Sequence, residues 1–166
     1  MFRKNDVIIY ASQGVCKVVD IRAESFAGGT EREYYVLESL TQRNFTAYLP
    51  TDNDDETNHI RRVLSKEEVN RLISAMSAVS VEWTEDHRIR RQHITEILRS
   101  ADSSQLIRLI RTIYARKEKL ADEGKRLPTE EINAMKDAEQ MLFEEFAYSL
   151  GIEKEDVPDY IQDHIG

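Results

Sequence analysis

Hydrophobic and polar positions along this chain change period once. Through residues 1–64, short runs rich in Val, Ile, Tyr and Phe are broken by turn residues instead of recurring at helical spacing. This predicts strands over 6–10, 15–23, 33–40 and 45–50, with a short fifth over 60–63. The turns between them, at 12–14, 26–30 and 41–44, have lengths that suit antiparallel hairpins. Five short strands of this kind predict a small SH3-like or Tudor-like antiparallel β-barrel.

Beyond the acidic run 52–56 the period becomes helical. Ser65 followed by Glu68 is a capping-box pattern, in which hydroxyl and carboxylate each satisfy a free N–H of the first turn, and Val69, Leu72, Ile73 and Met76 follow on one face. A second helix is predicted from Thr84, as the cap, to about Arg99, with Glu85 and Asp86 at its positive dipole end. A third covers 103–123 and stops at Gly124, with an apolar stripe of Leu106, Leu109, Ile110, Ile113 and Leu120. A fourth starts near Thr129 and ends before Gly151, burying Ile132, Met135, Leu142 and Phe146, and a fifth covers 158–164. The expected class is therefore α+β: a barrel over 1–64, then an all-α domain of about five helices over 65–166, with the break between Arg62 and Ser65.

Composition narrows the function. The four histidines, His59, His87, His93 and His164, form no short ligand pair, no glycine-rich phosphate loop exists among six glycines, and the Ser residues and the single cysteine, Cys16, lack a nucleophile-elbow context. An enzyme is not expected, nor a metal or other cofactor. The acidic run resembles half of a calcium loop, yet Thr57 stands where the sharp turn needs glycine and Val63 where a bidentate Glu would close the site, so it reads as a solvated loop. Cys16 alone can form neither an internal disulfide nor a cysteine-based zinc site, and no apolar run approaches the ~20 residues of a membrane helix. A soluble, unexported, cytoplasmic protein without a small-molecule substrate is expected.

The net charge of −8 argues at first against nucleic acid, but its distribution does not. Residues 88–126 carry eleven Lys/Arg against five Asp/Glu, whereas 127–166 carry two against eleven. Arg88, Arg90 and Arg91 cluster at the second helix, and Arg108, Arg111, Arg116 and Lys119 fall on roughly one side of the third, where they could track phosphates or form an ordinary solvated face. Trp83, the only tryptophan, sits just ahead of the basic cluster. Taken alone it reads as a packing residue, although its polar neighbours leave open an exposed indole that wedges into a groove.

Several segments carry a family resemblance. They are 6–10 (DVIIY), 14–18 (GVCKV), 33–37 (EYYVL) and 48–50 (YLP), then Trp83, 97–102 (ILRSAD) and 138–147 (AEQMLFEEFA). In order and spacing these resemble the CarD/CdnL family of bacterial transcription regulators, whose barrel is shared with the polymerase-interacting domain of the transcription-repair coupling factor. The resemblance implies that the barrel binds the β subunit of RNA polymerase by adding its edge strand to a strand of that subunit. Arg43, Phe45, Thr46, Ala47 and Tyr48 are the candidate contact residues, Tyr48 standing where some relatives carry an arginine. It also implies that the helical domain lies on promoter DNA at the upstream edge of the melted bubble, with Trp83 in the minor groove stabilising the open complex and Arg88, Arg90 and Arg91 on phosphates. The DNA contact would be weak and largely indifferent to sequence. The alternative is an adaptor whose two domains each bind protein, with Trp83 packed inside.

Overall fold

The computed structural model describes residues 1–11, 13–52, 60–79 and 83–166; the acidic run, apart from Asp52, the turn residue Ser12 and His59 lie outside the described residues. Two compact units meet at the Val63/Leu64 boundary.

The first unit is an antiparallel sheet of five strands among the described residues: β1 (Val7–Tyr10), β2 (Gly14–Glu24), β3 (Arg32–Ser39), β4 (Thr46–Pro50) and β5 (Ile60–Arg62). Their order is β4-β3-β2-β1-β5, which leaves β4 and β5 at the edges. Alternation along the strands turns Ile8, Cys16, Val18, Tyr35, Leu37, Leu49 and Ile60 into one core. Val18 pairs with Leu37 and Asp20 with Val36, so one extra residue bulges out of β2, the device that curls a sheet towards a barrel. Asp52 is held below the usual carboxylate range by a 2.7 Å hydrogen bond from Arg32.

The second unit has five α-helices among the described residues: α1 (Lys66–Ala75), α2 (His87–Ser100), α3 (Ser103–Asp122), α4 (Thr129–Leu150) and α5 (Val157–His164). The capping box at Ser65 and Glu68 forms as the sequence implies. The second helix departs from expectation. Its cap is Asp86, not Thr84, and the Asp86 carboxylate accepts from the N–H groups of Arg88 and Ile89. Thr84 instead offers its carbonyl to Arg90 Nη1 at 2.9 Å, which folds 83–85 back over the start of the helix. α2 closes at Ala101 and α4 at Gly151, both in the left-handed region, with φ of 53 and 68.

The core of this unit is built from Val69, Ile73, Leu106, Ile113, Leu142 and Phe146, with α4 running through its centre. Ile132 and Met135 are only half-buried, and the small residues Ala134 and Ala138 take the closest positions, which brings α4 near its neighbours. Two carboxylates are also buried. Glu145 accepts from the Leu64 N–H at 3.0 Å and from the Ser103 hydroxyl at 2.8 Å, and so fixes the beginning of the unit and the first turn of α3 to α4. Glu131, only 3% exposed, is the second. No helix among the described residues is long and apolar enough to cross a membrane.

Candidate functional site

In the sheet unit the candidate residues lie on and beside the free edge. Ser39 N–H donates to the Phe45 carbonyl and Thr51 N–H to the Glu33 carbonyl, so residues 45, 47, 49 and 51 are the hydrogen-bonded positions opposite β3. Their neighbours Thr46 and Tyr48 therefore direct N–H and C=O groups away from β3. Among the described residues β4 pairs only with β3, so this outer row is set for another strand. Pro50, with no N–H, ends the row of donors.

The side chains alternate accordingly. Ala47 faces the core, Phe45 is half-buried, Thr46 and Tyr48 are exposed, and Arg43 stands exposed in the preceding loop. Tyr48 is part of a surface cluster that sequence periodicity does not disclose. Phe26 packs edge-on against Tyr34 and Tyr48 at 5.1 and 5.2 Å, and Arg22 donates to the Tyr48 hydroxyl at 2.8 Å. The signal available was that Tyr34 and Tyr48 share one strand face, whereas Phe26 reaches that face only through the turn.

In the helical unit the structure brings Trp83, Arg90 and Arg116 together and separates them from the other basic residues. Arg90 lies with its guanidinium carbon 4.5 Å from the Trp83 ring centroid, and Arg116 with its own at 4.4 Å. Both arginines converge on Glu131. Arg116 Nε donates to Oε2 at 3.1 Å, while Arg90 Nε meets Oε1 at 3.0 Å as an ion pair without hydrogen-bond geometry. Glu131 occupies the first turn of α4, where the helix dipole favours its negative charge.

Thus three helices build one cluster: Arg90 comes from α2, Arg116 from α3 and Glu131 from α4. Trp83 is half-buried within it, and its indole N–H is buried without a hydrogen-bond partner among the described residues. A groove of about 490 Å³ opens beside the indole, lined by Ile94, Ile97, Arg108 and Leu109 among others.

The remaining basic residues divide in two. Arg88, Arg108 and Lys119 are exposed, as is Arg91, which forms a 3.0 Å ion pair with Glu130. Arg111 is half-buried, with its Nε out of solvent. Arg90 and Arg116, whose side chains are 12% and 22% exposed, are turned inwards to Glu131, unlike their exposed neighbours Arg88, Arg91, Arg108 and Lys119. The physical reason is Glu131, a buried carboxylate that needs cations more than the surface does. No group of side chains suited to a metal ion occurs among the described residues.

No curated protein matches the chain. Residues 2–64 match the family model described as the CarD-like/TRCF RID domain, and residues 69–162 match that described as CarD, C-terminal domain. The first of these domains has a Tudor-like fold, in keeping with the curled antiparallel sheet. Domains of this kind are those of non-enzymatic transcription proteins that interact with RNA polymerase. With both models matched in order along nearly its whole length, the chain belongs to the CarD family.

Proposed function

We propose that the sheet unit docks on the β subunit of RNA polymerase through the outer side of β4, and that the helical unit then stabilises the promoter open complex, with Trp83 as its contact at the edge of the melted bubble. The observation that carries the reading is the unpaired row of backbone groups at Thr46 and Tyr48, flanked by exposed aromatic side chains, since strand addition draws affinity from such a row and specificity from side chains beside it. Exposed Arg108 lines the groove beside Trp83 and supplies a positive group there, while Arg88 and Lys119 are exposed on the same unit. Weak DNA affinity suffices for a tethered domain, because docking raises its local concentration, and a net charge of −8 is then no obstacle.

The half-burial of Trp83 and the inward turn of Arg90 and Arg116 favour one further reading, in which the helical unit binds a second protein. Co-purification of polymerase with residues 1–63 and 64–166 made separately, together with duplex affinity at several salt concentrations, separates the two. Polymerase carried by the sheet unit and salt-sensitive DNA binding by the helical unit support docking and promoter contact. Polymerase carried only by the helical unit, or DNA affinity absent at low salt, removes that reading.

A further inference from the structure

Glu131 is buried, charged and bound to two arginines that both lie against the same indole. A carboxylate in that position is costly to bury unless its partners are fixed, so a purely structural role would be served as well by apolar side chains in place of Glu131 and both arginines together. What the arrangement secures that an apolar residue could not is the placement of two guanidinium groups on Trp83.

We propose that Glu131 is a positioning residue for Trp83: by holding Arg90 and Arg116 against the ring, it fixes the indole in its DNA-contacting orientation before DNA arrives and withdraws both arginines from phosphate contact. The proposal rests on the reading of Trp83 as the promoter contact and adds the device that orients it. Three helices converge on the cluster, so the indole is oriented relative to the whole unit. An indole ordered in advance loses less conformational freedom on binding. The withdrawal of the two arginines has a separate consequence, because each phosphate contact on duplex DNA adds about 0.9 to the slope of log affinity against log salt. Arg90 and Arg116, spent on Glu131 and Trp83, should add nothing to that slope, whereas exposed Arg108 should.

The test uses the full chain and its single tryptophan, whose fluorescence reports the cluster directly. In the free protein the indole should tumble with the molecule and resist acrylamide. Glu131→Gln keeps the volume and removes the charge, so Arg90 and Arg116 repel each other, and Trp83 should gain fast local motion and become readily quenched. The salt slope should not fall and should steepen by up to about 0.9 for each released arginine that meets a phosphate. At salt high enough to suppress those contacts, affinity for a mixed-sequence duplex should weaken roughly two- to tenfold, the cost of ordering one side chain on binding. Arg108→Gln should leave Trp83 immobile and lower the slope.

Should Glu131→Gln melt the domain, Arg90→Lys tests the same point, since it keeps the charge on Glu131 partnered and loses the planar contact with the ring. Trp83 remaining equally immobile in the folded variant, or a salt slope that falls with Glu131→Gln or Arg90→Lys, overturns the proposal. If the wild-type chain binds no duplex at all, the promoter-contact reading fails, while the mobility of Trp83 in the free variants still decides whether Glu131 positions it.

Discussion

Replacing Thr46 by proline separates the two sides of β4. Residue 46 faces Glu38 at a position where β3 receives no hydrogen bond, and its side chain is exposed, so the substitution deletes an outward N–H and leaves the internal ladder complete. The cost to the sheet unit should stay under about 1 kcal/mol, since proline is tolerated on edge strands. Ala47→Pro is the contrasting change: it removes a bond to β3 and leaves a β3 carbonyl without its donor, which should cost about 2 to 3 kcal/mol. For polymerase, the lost ladder bond is worth about 1 kcal/mol, and the partner carbonyl left without a donor adds about 1 to 2 kcal/mol. The sum, about 2 to 3 kcal/mol, corresponds to a Kd raised roughly 30- to 150-fold. Thr46→Val, which retains the N–H, should bind within about threefold of wild type. The assay is the Kd for purified polymerase alongside a thermal melt of each variant. A folded Thr46→Pro protein that binds like wild type would refute docking through the β4 edge.

Other substitutions test the helical unit. Trp83→Ala removes a half-buried ring and its two cation contacts, and should cost about 2 to 3 kcal/mol by thermal melting, between the values for a surface and a core residue; an unchanged Tm contradicts the packing described for it. Gly151→Ala places a Cβ at φ 68 with open space around it, so backbone strain alone should lower stability by about 1 kcal/mol in chemical denaturation. Burial holds the Glu139 carboxyl above its ordinary value, with Lys117 opposing the shift. The folded state therefore binds the proton more tightly than the unfolded one, and stability declines as pH rises from the unfolded value through the folded one. Glu139→Gln should flatten that decline and stabilise the protein at neutral pH, which denaturation at pH 4 and pH 7 would check.

The strands and most helix ends were legible because their signals are local: hairpin turns, a capping box at Ser65, and Gly151 at the end of α4. The start of α2 was less so. Thr84 and Asp86 are both competent caps two residues apart, and the choice is made by Arg90 reaching back to the Thr84 carbonyl, a contact that no pattern of types reveals. Glu131 and Glu145 were invisible for a related reason. In an acidic segment, amphipathic periodicity assigns every carboxylate to solvent, and only tertiary packing shows two of them turned inwards. The same limit applies to Arg90 and Arg116, which a helical wheel places with their basic neighbours while Glu131 draws them to Trp83.

The lifetime of the polymerase–promoter open complex, challenged with competitor DNA, tests the central claim most directly. It should be measured without the chain, with wild type, with Thr46→Pro and with Glu131→Gln. The account predicts a longer lifetime with wild type, no extension with Thr46→Pro at concentrations that saturate wild type, and a reduced extension with Glu131→Gln although that variant still binds polymerase. A lifetime that wild type leaves unchanged, or that Thr46→Pro extends just as fully, would contradict it.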